Sequence, residues 1–424
     1  MQSYFFKSAL LPQGWRKNVR VSTSEGVFKA IEINSQARPT DQCLDQVIPA
    51  MPNAHSHVFQ RAMAGLSEYK KNPLNGSIDS GGSADSFWSW RDLMYQLAQQ
   101  LDGHTLYQIA VDCYTEMRDA GYASVCEFHY LHRDKEHSDD FFSHSEILLK
   151  AANDVGLPIT LLPVLYAFSA VGEAPLNSEQ KRFELSVEEY LALYKHLQPL
   201  LKEKQKLGIC FHSIRAVSQQ QMQTVIDALP QDAPIHIHIA EQQAEIDQAI
   251  KYYGVRPVTW LFDHFKVDKR WCLVHATHLD AHEVKLIAES GAVTVICPLT
   301  EANLGDGIFP MPAYKSSHGV WAIGSDSHIE IKPQQELKML EYSQRLQYQR
   351  RNVCCDDQQS HVGTWLWLQA VAGGNQACQL VTNAIAVGCS SQVIDLQTTK
   401  VMDAACVLDG WIFSDQVRAV ASTL

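Results

Sequence analysis

The chain lacks three features that would point to a membrane protein, a nucleic-acid-binding protein or a cysteine-based metal site. No apolar run approaches the roughly 18 residues of a membrane span, and no block of lysine and arginine suggests a surface for nucleic acid or membrane. The formal net charge of −12 also argues against a phosphate-binding surface. None of the eleven cysteines forms a CxxC pair, which argues against a cysteine zinc site.

The cysteines and the amino terminus favour the cytoplasm. Several cysteines fall inside apolar runs, as small buried residues do in a reducing cytosol. Pro12, Gln13 and Gly14 interrupt the first apolar stretch, so we predict no signal peptide. We therefore expect a cytoplasmic protein.

Short apolar runs alternate with longer helical patterns from about residue 48 onward. The chain has 424 residues, 46 % of them hydrophobic, which is enough for a barrel of about 250 residues and a smaller domain. Strands that alternate with helices predict a parallel sheet, and eight of them predict a closed (β/α)8 TIM-type barrel. The candidate strands are 47–55, 123–128, 158–166, 208–213, 234–240, 270–276, 292–298 and 320–326.

Both ends of the chain are predicted to be rich in strands. We expect residues 1–47 and 381–424 to form one small β-sandwich domain, and residues 48–380 to form the barrel. The strand-like runs of the second end are 384–388, 392–396 and 405–413.

One helix and one loop can be placed from their patterns. A helix is predicted after Pro333, with Leu337, Leu340 and Leu346 on one face. Residues 70–86 are rich in Gly, Ser and Asn and follow the first barrel strand, so they should lie over the mouth of the barrel.

Two interpretations of this loop remain open. It is either the tip of a lid or, for residues 72–84, a tolerated surface insertion. The aromatic stretch behind it, with Trp88, Trp90 and Arg91, is expected to form a rigid base for a lid or a subunit contact.

Histidines and one aspartate recur at the ends of the predicted strands. His55 and His57 are two residues apart, so on a strand both side chains point to the same face. His238 lies at the end of the fifth strand and Asp326 at the end of the eighth, and the strand ends of a barrel surround one mouth. Three neutral imidazoles and a carboxylate suit zinc with a water in the open position. We predict one Zn²⁺ per chain and a hydrolytic centre, because zinc lowers the pKa of its water to about 7.

Three residues near the mouth are suited to move a proton. Glu241 lies three residues beyond His238, where it can approach the metal-bound water without ligating the ion, as a general acid/base must. Asp326 can bind the metal and also accept a proton from its water. His275 ends the sixth strand and is preferred to His278, which we assign to a polar loop.

Two further histidines are expected to support the site from a distance. His236 lies one layer deeper than the metal ligands and is predicted to be a hydrogen-bonded core residue. His328 follows Asp326 by two residues and would contact the ligands from behind.

Four polar residues at the mouth are candidates for substrate binding. His212 and Arg215 follow the fourth strand, Tyr130 follows the second, and Gln60 lies three residues beyond His57. A planar guanidinium such as that of Arg215 can bind a carboxylate through two hydrogen bonds. A surface salt bridge is the alternative interpretation of Arg215.

These motifs resemble those of the amidohydrolase superfamily. The fourth strand offers His212 and no lysine that could be carboxylated, which resembles the mononuclear deaminase branch. The longer motifs resemble the formimidoylglutamate deiminases of histidine degradation. The matching segments are 9–15 (ALLPQGW), 53–66 (NAHSHVFQRAMAGL), 86–95 (SFWSWRDLMY), 121–132 (GYASVCEFHYLH), 212–217 (HSIRAV), 236–242 (HIHIAEQ), 297–307 (CPLTEANLGDG) and 324–328 (GSDSH).

The resemblance implies a role for each candidate residue and a reaction. The implied reaction is hydrolysis of N-formimidoyl-L-glutamate to N-formyl-L-glutamate and ammonia, in a cytoplasmic homodimer. Glu241 and His275 would be catalytic, with Asp326 as both zinc ligand and proton acceptor. The implied zinc ligands are His55, His57, His238 and Asp326. The implied substrate contacts are Gln60, Arg91, Tyr130, His212 and Arg215.

Two departures from the family pattern and two rival functions complete the expectations. Residues 311–326 lack an arginine just before the eighth strand, and the chain ends without an evident final strand and glycine-rich turn. One rival is another deaminase of the superfamily, acting on a nucleobase or a guanidine-type substrate, but the paired arginines and Tyr130 favour a dianionic substrate. The other is a non-catalytic scaffold, which disagrees with six filled catalytic positions.

Overall fold

The computed structural model describes residues 1–68, 87–400, 402–414 and 416–424. The loop predicted at 70–86 lies outside the described residues, as does the side chain of Trp88. Among the described residues, no helix combines the length and the apolar character needed to cross a membrane.

Strands make up both a barrel and a separate sheet. In chain order, the strands of the described residues are β1 (Gln2–Leu11), β2 (Gly14–Ser24), β3 (Val27–Glu32), β4 (Gln42–Pro49), β5 (Met51–Ser56), β6 (Tyr122–His129), β7 (Ile159–Leu165), β8 (Gln205–Leu207), β9 (Ile209–Ser213), β10 (Ile235–Ile239), β11 (Trp271–His275), β12 (Val293–Ile296), β13 (Val320–Ile323), β14 (Gln392–Gln397) and β15 (Arg418–Thr423).

Eight parallel strands form a nearly closed barrel in the order β5-β6-β7-β9-β10-β11-β12-β13, which confirms the predicted (β/α)8 architecture. Ser56, at the end of β5, pairs in parallel with Asp326, three residues beyond β13, and brings the first and last strands together. The short strand β8 pairs with β7 outside this path. The barrel strands are buried along almost their whole length, as in β6, where every residue is buried. This explains why they appear in the sequence as continuous apolar runs.

Helices cover the barrel, and several begin and end at recognisable caps. Asp280 and Glu283 form a capping box at the start of α8, and Gly291 ends that helix with a left-handed φ of 74°. The helices of the described residues are α1 (Phe87–Gln100), α2 (Gly103–Ala120), α3 (Ser143–Val155), α4 (Val187–Leu197), α5 (Gln219–Ala228), α6 (Gln243–Tyr253), α7 (Pro257–His264), α8 (Ala281–Ser290), α9 (Pro298–Leu304), α10 (Met311–Ser316), α11 (Pro333–Tyr348), α12 (Val362–Cys378) and α13 (Ala404–Ser414).

The predicted helix after Pro333 is present as α11, but its buried face differs from the prediction. Leu337 and Leu340 are fully buried, whereas Leu346 is 80 % exposed. Gln344 takes the buried position of the last turn, because it lies four residues beyond Leu340 and Leu346 lies six beyond it. At about 100° per residue, a step of six turns a side chain away from the core.

The two chain ends meet in one six-stranded sheet with the order β15-β14-β4-β1-β2-β3. Within it, β1 pairs with β2 in antiparallel and with β4 in parallel orientation. The predicted strand 47–55 is divided, because β4 belongs to this sheet and β5 to the barrel, with Ala50 between them. The division of the chain at residues 47 and 381 stays a prediction.

Three expectations about the carboxyl-terminal segment were wrong. Residues 405–413 lie in α13, where Val407, Leu408, Trp411 and Ile412 are buried at helical spacing. Residues 384–388 form no strand. A final strand does exist, since β15 pairs with β14 along its length, and the small and polar residues of its sequence (RAVAST) gave it no apolar signal.

Candidate metal centre and active site

Four buried donor side chains converge at the carboxyl ends of three barrel strands. The Nε2 atom of His55 lies 3.1 Å from Nε2 of His57 and 3.1 Å from Nε2 of His238. Oδ1 of Asp326 lies 3.4 Å from the Nε2 atom of His55 and 3.3 Å from that of His57. The donors predicted at the ends of the first, fifth and eighth strands are therefore close neighbours.

These four separations are close to those between the ligands of a small divalent ion. Bonds of about 2.0–2.1 Å in a tetrahedral arrangement place neighbouring donors roughly 3.4 Å apart. A soft or borderline ion with imidazole and carboxylate ligands matches this donor set. The donor types therefore fit zinc. Possible ligand atoms of His55, His57 and Asp326 lie within 4.8 Å of one another, and so do those of His55, His238 and His275.

The surroundings of the three imidazoles favour their neutral form, in which a ring nitrogen can bind a metal. Nδ1 of His57 lies 2.9 Å from the backbone oxygen of Phe128, so it donates there and leaves the Nε2 lone pair facing the other donors. Burial lowers the pKa of His55 to about 3 and also lowers the pKa values of His57 and His238. Burial alone would raise the pKa of Asp326, but hydrogen bonding and the neighbouring histidines lower it.

A buried glutamate, absent from the sequence predictions, holds the backbone on both sides of His57. Glu127 accepts a hydrogen bond from Oγ of Ser56 at 2.5 Å and one from the N–H of Val58 at 2.8 Å. His328 contacts the same serine, with Nε2 3.0 Å from Oγ. This network lies directly behind the first two metal donors.

The backbone at the mouth is left-handed at several residues other than glycine. Ala240, His275, Asp326 and His328 have φ values of 53°, 68°, 45° and 59°. Each such residue costs about 1–3 kcal/mol unless its surroundings compensate. These residues follow or end barrel strands, so the strained turns redirect the chain where the donors face the mouth.

His275 and Glu241 lie beside the metal donors. Nε2 of His275 is 3.8 Å from Oε1 of Glu241 and 3.9 Å from Oδ2 of Asp326. Burial raises the pKa of Glu241 to about 7, a value suited to both accepting and donating a proton at neutral pH. Burial would lower the pKa of His275, but the charge of Glu241 and the hydrogen bond to Glu301 raise it to about 10.

Glu301 fixes the orientation of His275. Its Oε1 lies 3.3 Å from Nδ1 of His275 and accepts a hydrogen bond from the N–H of Cys297 at 2.8 Å. Because Nδ1 donates to this carboxylate, Nε2 is the atom that faces Glu241 and Asp326. Sequence reasoning missed Glu301, although it lies in the segment 297–307 that carries the family resemblance.

Asp306, which belongs to the same segment as Glu301, lies close to Glu241 and His275. Ligand atoms of Asp306, Glu241 and His275 lie within 4.8 Å of one another. Its carboxylate accepts a hydrogen bond from the side-chain amide of Gln242, and burial raises its pKa to about 9. Asp306 therefore adds a second buried acid next to Glu241.

A pocket with an empty volume of about 580 Å³ opens beside these residues. Its wall includes His57, His238 and Asp326 together with Glu241 and His275. The five residues predicted to contact substrate line the same pocket; they are Gln60, Arg91, Tyr130, His212 and Arg215. Aromatic residues complete the wall. Trp90, expected at the base of a lid or a subunit contact, lies among them, and the others had no predicted role; they are Phe87, Tyr95, Tyr166 and Phe183.

Several of the predicted substrate-binding residues contact one another or a neighbouring aromatic ring. Nε2 of Gln60 donates to the hydroxyl of Tyr130 at 2.7 Å. The centre of the His212 ring lies 5.7 Å from the centre of the Tyr130 ring and 5.2 Å from that of the His238 ring. The guanidinium of Arg91 lies over the ring of Tyr95, 5.4 Å from its centre.

The two histidines set aside as non-ligands lie away from the metal donors. His236 is buried with Nε2 3.2 Å from the oxygen of Ala377, and His278 follows β11 with Nε2 2.7 Å from the backbone oxygen of Asp306. His278 thus anchors the loop that carries Asp306.

The fold and the site together define a hydrolase of the amidohydrolase type. The chain matches the amidohydrolase family over residues 46–360, and it belongs to that family. Residues 1–44 match the family described as formimidoylglutamate deiminase HutF, N-terminal domain. Within the amidohydrolases the chain therefore belongs to the formimidoylglutamate deiminase family, and it is a hydrolase that acts on carbon–nitrogen bonds.

Individual relatives agree with this assignment. The chain is 42 % identical to formimidoylglutamate deiminase of Pseudomonas aeruginosa, over 100 % of this chain and 93 % of the relative. Its fold is similar to that of an amidohydrolase from Brucella melitensis, with a TM-score of 0.91, 39 % identity and coverage of 99 % and 92 % of the two chains. An adenosine deaminase from Xanthomonas campestris with bound zinc shares the fold at 18 % identity, with a TM-score of 0.75 and coverage of 98 % and 90 %.

Proposed function

We propose that the protein hydrolyses N-formimidoyl-L-glutamate to N-formyl-L-glutamate and ammonia with one Zn²⁺ per chain. The observation that carries the proposal is a pocket lined by three of the four candidate metal donors together with Glu241, His275 and two arginines. Water adds to the formimidoyl carbon and the carbon–nitrogen bond to the terminal nitrogen breaks, so the products are the formyl compound and ammonia.

Zinc is assigned to His55, His57, His238 and Asp326. Bound there, it would lower the pKa of a water molecule and polarise the formimidoyl group. The support is the set of four separations that join His55 to His57, His238 and Asp326, and His57 to Asp326, which are 3.1–3.4 Å. Burial also favours the neutral form of the imidazoles.

Glu241 and His275 are assigned to proton movement. Glu241 takes a proton from the attacking water and gives it to the departing nitrogen, which its raised pKa of about 7 permits in both directions. His275, held by Glu301, directs Nε2 towards the reacting centre and stabilises charge as it develops there. Asp326 serves as a second proton acceptor beside it.

The polar residues at the opposite wall are assigned to the glutamate part of the substrate. Arg91 and Arg215 bind the two carboxylates, which gives an acidic chain a local site for an acidic substrate. Gln60, Tyr130 and His212 hold the region between the carboxylates and the reacting group.

The direct test is ammonia release from purified protein with a panel of substrates. N-Formimidoyl-L-glutamate should react faster than formimidoyl-L-aspartate, formimidoylglycine and N-propylformamidine, and N-formyl-L-glutamate should appear in equal amount to ammonia. Faster release of ammonia from adenosine, guanine or cytosine would favour the second candidate, a nucleobase deaminase. The shared fold of the adenosine deaminase from X. campestris makes that comparison informative.

We also propose a cytoplasmic homodimer. The aromatic base at Trp90 and Arg91 is the candidate subunit contact. Light scattering of the purified protein should give twice the mass of 47.6 kDa, and a mass of one chain would exclude the dimer.

A further inference from the structure

Two tyrosines in the pocket wall have no role in the mechanism above. Tyr95 lies on α1 and Tyr166 directly follows β7, and both side chains line the pocket. They are buried, with 3 % and 4 % exposure. Gln180, on the 3-10 turn Ser178–Phe183, donates from Nε2 to their hydroxyl oxygens at 3.1 Å and 2.9 Å.

The orientation of the Gln180 amide is fixed by the turn on which it lies. Its Oε1 accepts a hydrogen bond from the N–H of Asn177 at 3.0 Å, as one half of a capping box. An amide oxygen must face that N–H, so the NH₂ group must face the two tyrosines. Both tyrosine oxygens are therefore acceptors towards Gln180.

A count of the hydroxyl protons shows that the tyrosine pair can still donate a hydrogen bond to a ligand. Each hydroxyl carries one proton, and Gln180 presents two N–H groups and no acceptor on this side. The hydroxyls of Tyr95 and Tyr166 also interact with each other, which can use only one of the two O–H groups. Among the residues that the structure describes, at least one O–H is thus left for an acceptor in the pocket. Burial raises the pKa of Tyr166, so this group keeps its proton at neutral pH.

Tyr95 and Tyr166 lie close to Arg91 and Arg215. His212 lies between Tyr166 and the candidate metal donor His238. The ring of His212 lies 5.2 Å from that of His238 and 4.6 Å from that of Tyr166. Arg91 lies over the ring of Tyr95, and the charges of both arginines act on Tyr166. Hydroxyl donors next to guanidinium groups are suited to the oxygens of a carboxylate.

We propose that Tyr95 and Tyr166, directed by Gln180, form a hydroxyl-donor subsite that binds the carboxylate end of the substrate together with Arg91 and Arg215. This inference rests on the proposed function and adds residues that select dianionic substrates. A substrate without carboxylates leaves a buried O–H unpaired, and a site of this kind discriminates strongly against such analogues. Gln180 is a positioning residue, because it acts through the tyrosines.

The first test removes the two hydroxyls one at a time. At least one of Tyr95→Phe and Tyr166→Phe should raise KM for N-formimidoyl-L-glutamate, and should weaken calorimetric binding of N-formyl-L-glutamate, by roughly tenfold, as expected for a hydrogen bond to a charged group. Zinc content should equal that of the wild type, and the loss on N-propylformamidine should be much smaller. Tyr107→Phe is the matched control, because its hydroxyl contacts Asp154 on the surface. Unchanged binding of N-formyl-L-glutamate, or equal losses on both substrates, would overturn the subsite.

The second test reverses the direction of the hydrogen bonds. Gln180→Glu keeps an oxygen for Asn177, but its other oxygen accepts from the tyrosines and turns their O–H groups away from the pocket. We expect this variant to bind N-formyl-L-glutamate more weakly than either phenylalanine variant, and Gln180→Met to lose less than Gln180→Glu. Wild-type affinity in Gln180→Glu would contradict the proposal.

The two proposals fail in distinguishable ways. If the wild type released no ammonia from N-formimidoyl-L-glutamate, the proposed function would be wrong. Calorimetry with L-glutamate and N-formyl-L-glutamate would still decide whether the tyrosines bind carboxylates, since it needs no turnover.

Discussion

The two ends of the pocket are built from different parts of the fold. At the metal end, the donors His55, His57, His238 and Asp326 belong to barrel strands or follow them within three residues. At the arginine end, Arg215 and Tyr166 also follow barrel strands, but Arg91 and Tyr95 come from α1, a helix outside the barrel sheet. With the roles proposed above, the reaction chemistry would belong to the barrel alone, whereas substrate choice would also depend on the helix packed over it. Variants of the first end should stop chemistry on every substrate, and variants of the second should change the ranking of substrates.

The largest effect is expected when a metal donor is removed. Asp326→Ala loses a carboxylate that contacts both His55 and His57, so bound zinc and activity on all substrates should fall to background. Elemental analysis and ammonia release measure this. His282→Asn, an exposed histidine, is the control and should keep its zinc. Full zinc content in Asp326→Ala would remove this residue from the ligand set.

Glu241→Gln should reduce turnover by roughly 10²-fold or more, the range typical of lost acid–base catalysis. The amide keeps the shape of the side chain but cannot carry the proton, so zinc content should stay near that of the wild type. Steady-state rates and metal analysis on the same preparation separate the two effects. A variant that kept most of its turnover would show that another group, such as Asp306, moves the proton.

Arg215→Met should lower kcat/KM for N-formimidoyl-L-glutamate about ten- to a hundredfold, because a charged bidentate contact contributes about 1.5–3 kcal/mol. N-Propylformamidine, which lacks carboxylates, should be affected much less. This pair of substrates tests the separation of the two ends directly. Equal losses on both would mean that Arg215 supports the catalytic end instead.

Glu301→Leu should lower kcat by about tenfold while KM changes little, because residues that orient a catalytic or ligating histidine typically contribute ten- to a hundredfold. Glu301→Gln keeps an oxygen for Nδ1 of His275 and should recover part of the rate. Nitrogen NMR of the His275 ring would report whether Nδ1 still carries its proton. A Leu variant with wild-type kcat would show that His275 is oriented without Glu301.

The contrast between the two ends also explains what the sequence could predict. The convergence of the four proposed metal donors could be predicted because each ends an apolar run, and such runs become parallel strands that share one mouth. Tyr95 and Tyr166 were not found, because their neighbourhood depends on how α1 and the turn at Gln180 pack over the barrel. Glu301 was missed for a related reason: its role is defined by contact with His275, 26 residues away along the chain.

The terminal sheet shows a second limit of the sequence patterns. The first end was predicted to be rich in strands, and β1, β2 and β3 lie there. The run 405–413 is largely apolar and was assigned to a strand, whereas the burial of Val407, Leu408 and Trp411 has the spacing of a helix. A short run of this kind does not distinguish a buried strand from a buried helix.

Backbone hydrogen bonds join the first and last strands of the barrel. They connect the candidate metal donors at the ends of these strands and their neighbours. The N–H groups of Ser325 and Asp326 donate to the oxygen of His55, and the N–H of His57 donates to the oxygen of Asp326. Asn53 and Ser325, 272 residues apart in the chain, bond at the same seam. An ion held there acts as a removable cross-link over a very long loop, and its binding free energy adds to the free energy of unfolding. If the proposed metal binds there, the closed form of the barrel would therefore be thermodynamically linked to the concentration of free metal.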